Sequence, residues 1–278
     1  MFLKNRLKED RFASDQDYAQ YEYELTRRVV VPLLKSWEVN FEHKRLLDVG
    51  CGLGGSTVAF WESGSKSVGV DIKDHHIKGA KIFAEKKKAK VSFVLADISS
   101  KKDKKDLEEQ QIIILRDVIE HVPPEKRSEL IVSIGKILIK GGFCFVSFPP
   151  YYSPFGGHQH YFKSVITFLP YIHLLPLALE RSLISLDGNV KKRVSNEKWN
   201  RFWEWRATMR REKMTIALFE ELVSSSSLRI IKRELYLIRP VFFYRYGLSP
   251  AKNLLFGKVP GLKELTTTGA LYLLRKEC

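Results

Sequence analysis

The stretch Arg45–Gly55, RLLDVGCGLGG, decides how the chain is read. A short apolar run is broken by glycines, the pattern of a buried strand that runs straight into a tight turn. Gly50-Cys51-Gly52-Leu53-Gly54-Gly55 fits G-x-G-x-x-G. Glycines at that spacing let the backbone turn sharply and approach a ligand closely, and the helix expected over 53–63 offers free N–H groups at its start.

Outward from this turn, strands and helices alternate. Strands are expected at 67–72, 91–98, 111–117 and 143–150. Helices are expected at Asp74–Lys88 and at Pro124–Ile139, the latter closed by Gly141–Gly142. That alternation predicts right-handed βαβ units and a parallel sheet covered on both faces. Upstream, Tyr18, Tyr21, Leu25 and Val29 recur at helical spacing over 16–38. After Pro150 the rhythm stops, and it resumes with a helix at 214–224 and strands at 229–238 and 269–276. The reading is one domain over 1–278, with a core at 40–150 and 214–278, an N-terminal helix at 16–38 and a cap inserted at 151–213.

The chain has 278 residues and a net charge of +15. This length suffices for one good core. Cys51, Cys144 and Cys278 have no paired spacing, which predicts a reducing, cytoplasmic setting, with a position peripheral to a membrane as the variant. The first residues, MFLKNRLKEDRF, lack the apolar centre of a signal peptide. The longest apolar run, VITFLPYIHLLPLAL at 165–179, is too short to span a bilayer and carries two prolines. The charge reads first as a lysine-rich solvated surface, and second as attraction to an anionic partner.

Asp48 narrows the ligand. A carboxylate two residues before Gly50 repels a pyrophosphate and favours a ligand with an ammonium and a sulfonium group. Together, DVGCGLG, GVDI, LADI and RDVIEHV fall in order at the ends of successive strands. Over about the first 150 residues this pattern resembles the class I S-adenosylmethionine (SAM)-dependent methyltransferases. The resemblance implies a seven-stranded Rossmann-like α/β sheet flanked by helices. It also implies SAM as cofactor, with the methionine end near Asp48, Gly50 and Gly52, and Cys51 and Gly54 completing the turn. The ribose would lie on Asp71, the adenine between Ile72 and the Asp97–Ile98 edge, and Arg116 would close the end of the fourth strand. Cys51 itself reads as a small packing residue.

The segment Asp117-Val118-Ile119-Glu120-His121 is similar to a loop of ubiquinone-pathway O-methyltransferases and small-RNA 2′-O-methyltransferases. That likeness makes Asp117, Glu120, His121 and His158 candidate ligands for a divalent metal. The same residues are structural in non-metal relatives, and a metal is not favoured. FPPYYSPFGGHQHYF, 148–162, contains PPY but follows the fifth strand, not the fourth, so an amino-methylating signature is rejected. Its His158 and His160 fall where a loop would face the cofactor's methyl group. With His121 they are the candidate catalytic residues.

In the cap, KWNRFWEWRATMRR places Trp199, Phe202, Trp203 and Arg206 on one helical face. This predicts a small core over the site, or an amphipathic surface for lipid. The expected activity is methyl transfer from SAM, by preference to oxygen, on a small or lipid-linked acceptor. A metal-assisted RNA 2′-O-methyltransferase and a non-catalytic SAM- or RNA-binding module are the alternatives. Scattered lysines and the lack of an RNA-binding module put nucleic acid behind a small molecule as partner.

Overall fold

The computed structural model describes residues 14–100, 107, 109–157, 166–188, 190 and 194–277. The centre of the protein is β1 (Arg45–Val49), whose last four residues are all buried. A strand buried on both faces reads as an unbroken apolar run, which is what LLDV offers apart from Asp48. It pairs in parallel with β2 (Lys66–Asp71) on one side and β4 (Gln110–Arg116) on the other. β3 (Ser92–Leu95) extends the sheet beyond β2, and β5 (Leu138–Phe148) beyond β4. β8 (Gly269–Lys276) then runs antiparallel between β5 and β6 (Leu228–Ile238). The order is β3-β2-β1-β4-β5-β8-β6-β7. The direction of winding reverses at β1 and β4, so the ligand crevice opens at the carboxyl ends of those strands.

The expected α/β sheet is present with one strand more than expected. Ala251–Lys252 (β7) pairs with Tyr236 and Ile238 at the edge of β6. Two residues in SPAKN carry no period-2 signal, so this strand has no signature in the sequence. The glycine pair also does something other than close a helix. The helix there stops at Ile137, and the next strand has already begun at Leu138. Gly141 and Gly142 lie within β5, where its pairing with β4 jumps from Gln110↔Leu138 to Ile112↔Phe143. Gly141 takes φ 76° there, a bulge conformation that glycine adopts at little cost.

One face of the sheet packs against α5 (Pro124–Ile137) and α8 (Ile216–Ser224) through Ile131, Ile134, Phe219 and Val223. The other face meets Val31 and Leu34 of α2 (Val31–Ser36), Trp37 just beyond it, and Phe60 of α3 (Gly55–Glu62), while α4 (Asp74–Lys86) packs beside α3 through Ile77, Ala80 and Phe83. The N-terminal helix α1 (Asp15–Leu25) runs through a π-helical turn, Thr26–Val30, into α2. Ser14 caps it, accepting from the Asp17 amide. α1 lies against α3 closely enough that a Cβ on Gly55 would stand 2.1 Å from the Ala19 carbonyl oxygen. Glycine at that position lets α1 roof the crevice.

Between β5 and α8, α6 (Leu177–Ser185) and α7 (Asn196–Arg211) enclose a separate apolar cluster of Ile172, Ile184, Val190, Phe202 and Trp203. Glu180 and Arg206 are fully buried within it. Arg206 donates to Glu180 at 2.6 Å, and Arg210 to the same carboxylate at 2.8 Å. Arg206 also donates to the Gly157 carbonyl, which ties the segment after β5 to the cap.

Candidate active site

The turn after β1 takes left-handed φ at Gly50, Gly52 and Gly54 (69°, 53° and 81°). A side chain at Gly52 would meet nothing within 4 Å, so the turn leaves open space beside it. A cavity of about 140 Å³ occupies that side. Asp48, Gly50, Gly52, Ser56 and Arg116 line its floor, and Tyr18 and Glu22 of α1 line its roof.

Asp48 is only 3% exposed and accepts from the Thr57 hydroxyl at 2.7 Å. Burial pushes its carboxyl up to about 6, while Thr57 and Arg116 oppose the rise. A cation arriving in the cavity would ionise it fully. Asp71 closes β2 and is held from three sides. It accepts from the Gly52 amide at 3.0 Å and the Lys73 amide at 2.9 Å, and its Oδ2 lies 3.1 Å from His76 Nδ1. Burial raises its pKa, but these hydrogen bonds outweigh burial and hold the carboxyl below its usual range.

The expected adenine positions separate. Ile72 is 68% exposed, an apolar surface beside Asp71. Asp97 accepts from the Ser99 amide and hydroxyl and from Lys126 at 3.1 Å. Burial raises its pKa, and these donors more than reverse the rise. Ile98 is buried in the main core, so its side chain supports Asp97 from below. Cys51 is buried and its thiol is pushed far up by burial, which makes it a packing residue and not a nucleophile.

Arg116 ends β4 and pairs with Glu22 across the cavity; both are nearly buried. Arg245, on α9 (Val241–Tyr246), donates to the Tyr21 hydroxyl of α1. Asp117 follows Arg116 with φ 55°, a conformation that Asp tolerates better than most residues. It stands 3.5 Å from Arg239. Asp117 and Arg116 also border a second, smaller cavity of about 30 Å³, lined by Val29, Phe145, Phe148 and Leu271.

Of the candidate metal ligands, Glu120 and His121 stand together, His121 Nε2 3.9 Å from Glu120 Oε1. Glu120 is buried and neither of its carboxylate oxygens has a hydrogen-bond partner. Burial, then repulsion from Asp117, raises its pKa strongly. The His121 ring also stacks on the cap, 6.4 Å from the ring of Trp205 at an interplanar angle of 28°. Burial lowers its pKa. Among the described residues no group of three His, Cys, Asp or Glu side chains is arranged to hold a metal. His158 and His160 lie outside the described residues.

Sequence reading missed Tyr18, Glu22, Thr57, His76, Arg239 and Arg245. His76 carried a usable signal, since it opens a helix five residues after Asp71. The α1 and α9 residues carried none, because their approach to the crevice is purely tertiary.

A Rossmann-like sheet with a glycine turn at its switch point, a buried acid below that turn and a held acid at the end of β2 places a ligand crevice where doubly wound α/β proteins have one. Over residues 40–151 the chain matches the family described as a methyltransferase domain. It is 30% identical over 114 residues to the ubiquinone biosynthesis O-methyltransferase of Pelagibacter ubique, covering 41% of this chain and 45% of that protein. The Coxiella burnetii protein of the same name is 31% identical over 110 residues, 40% of this chain and 45% of that one. The chain thus spans a little under half the length of these curated relatives. Among solved structures, magnesium protoporphyrin IX methyltransferase from Synechocystis PCC 6803, with bound SAH, superposes with a TM-score of 0.52 at 13% identity. That match covers 99% of this chain and 93% of the other. The PH0226 protein of Pyrococcus horikoshii OT3 does so with a TM-score of 0.53 at 16% identity, covering 92% and 91%. At these identities the likeness is one of fold. Among the described residues no helix is long and apolar enough to cross a membrane.

Proposed function

We propose that the protein binds SAM in the crevice above Gly50–Gly54 and methylates an oxygen of a small or lipid-linked acceptor. The observation that carries this is the pairing of two unlike acids around one glycine turn. Asp48 is buried and poised to ionise against a cation, and Asp71 is ionised and fixed by the Gly52 amide.

When bound, SAM supplies an electrophilic methyl group. The chain's own residues bind and orient. Asp48 would hold the ammonium, Asp71 the ribose hydroxyls, and Ile72 and Asp97 the adenine. Glu22 and Tyr18 cover the cavity from α1 and limit water. Arg116, Asp117 and Arg239 form the wall on the acceptor side, and positioning there supplies most of the acceleration. Removal of a proton from a hydroxyl acceptor falls to His158 or His160, which follow Gly157, whose carbonyl accepts from Arg206.

Calorimetric titration of the full chain with SAM tests the reading. Saturable SAM binding, with no binding of NADH, is the expected outcome. NADH binding without SAM binding would overturn it.

A further inference from the structure

The connection between β7 and β8 turns large apolar side chains outward: Leu254, Leu255, Phe256, Val259, Leu262 and Leu265. Leu254 and Leu255 are 69% and 78% exposed. Single exposed leucines are ordinary on a protein surface, but a continuous group of them is not.

This connection is a fixed platform. Asn253 donates to the hydroxyls of Thr266 at 2.8 Å and Thr267 at 3.0 Å, closing the segment on itself. Glu264 turns inward and accepts from the Ile216 and Ala217 amides at the start of α8, at 3.0 and 2.9 Å. The segment is therefore anchored while its apolar side chains remain in water.

Its place in the fold gives it direction. β8 runs antiparallel to β5, so the residues just before Gly269 sit at the carboxyl edge of the parallel strands. That is the edge at which the Asp48–Asp71 crevice opens. The Tyr171 hydroxyl of the cap donates to the Leu265 carbonyl at 3.1 Å, and Leu169 beside it is more than half exposed. The apolar face thus continues from the connection onto the cap.

The segment itself is basic. Lys258 lies within it, Lys252 and Lys263 pair with Glu234 at 2.7 Å and Glu220 at 3.3 Å, its one acid is turned inward onto α8, and the whole chain carries +15. Exposed apolar side chains on a basic segment of a strongly basic chain are the chemistry of insertion into an anionic lipid headgroup layer.

We propose that this platform docks the protein on an anionic bilayer surface, with the crevice edge turned toward the membrane. Docking stands apart from methyl transfer; it bears on the proposed function only by bringing a lipid-linked acceptor to the crevice. The test is co-sedimentation of the full chain with mixed phosphatidylcholine–phosphatidylglycerol vesicles and with pure phosphatidylcholine vesicles. Partitioning onto the mixed vesicles is expected to exceed that onto the neutral ones by about tenfold. Leu255→Glu combined with Phe256→Glu should reduce it by about tenfold or more, with SAM affinity unchanged. Lys258→Glu should reduce it less. No partitioning onto anionic vesicles, or unchanged partitioning of the double variant, would overturn the proposal. So would a concentration-dependent dimer that the double substitution abolishes, since the face would then belong to a second copy of the chain.

Discussion

Asp71→Ala removes the group that the fold spends most effort positioning at the crevice. An ionised carboxylate has about four lone-pair positions. The fold occupies three of them, with the Gly52 amide, the Lys73 amide and His76 Nδ1. One position is open to a ribose hydroxyl, and the His76 position can be exchanged for the other. Hydrogen bonds to charged groups contribute about 1.5–3 kcal/mol each, so losing one weakens SAM binding about 10- to 150-fold. Alanine also releases the Gly52 amide and loosens the turn, which moves the loss toward the upper figure. Asp71→Asn keeps one acceptor oxygen and the volume, and should lose less. The assay is calorimetric titration of each variant with SAM. Unchanged affinity in Asp71→Ala refutes the ribose assignment. Stability supplies an independent check. The Asp71 pKa is depressed on folding, so its contribution is present above the unfolded value near 3.9 and is lost as pH falls through the folded value. The stability gap between wild type and Asp71→Ala should therefore close below about pH 4. A gap that persists unchanged at about pH 3 would contradict the hydrogen-bond account.

Asp48 has the opposite sign. Its pKa is raised to about 6, so its contribution to stability is complete below its unfolded pKa and is lost as pH rises through 6. Asp48→Asn should stabilise the free protein at neutral pH by up to roughly 3 kcal/mol, read by urea denaturation, while weakening SAM binding. A variant less stable than wild type would sink this reading. Glu180→Ala leaves Arg206 buried without its carboxylate and should cost about 3–5 kcal/mol. Hydrogen exchange should place the loss in α6 and α7 first, and uniform loss across the sheet would contradict a separate cap core. His158→Ala and His160→Ala should lower turnover more than SAM affinity. If both variants keep the wild-type rate, the proton is removed elsewhere.

The sheet was legible because parallel strands buried on both faces need continuous apolar runs, and the runs of β1, β2 and β4 end at glycine or aspartate. That rule found β1 and located β2 and β4 to within a residue. It overextended β3, where Asp97 leaves the strand to cap Ser99, and it misplaced Gly141–Gly142, since a glycine pair serves a bulge as well as a helix end. Asp48 on the crevice floor and Asp71 beside the turn stood out for the same reason: they are polar residues where a buried strand should be apolar. The crevice roof did not. Glu22 meets Arg116 across 94 residues and Tyr21 meets Arg245 across 224, and no local pattern encodes a pairing at that separation.

The cap makes the same point from the other direction. Helical spacing correctly put Arg206 on a face with Phe202 and Trp203, a position where a guanidinium should be unwelcome. The fold resolves the conflict with Glu180, 26 residues upstream, and with the Gly157 carbonyl. A charge on an apolar helical face is thus a signal in its own right: it demands a buried partner. Here that demand fastens the cap to the loop preceding His158. The residue least suited to the cap's core is the one that couples the cap to the proposed catalytic loop.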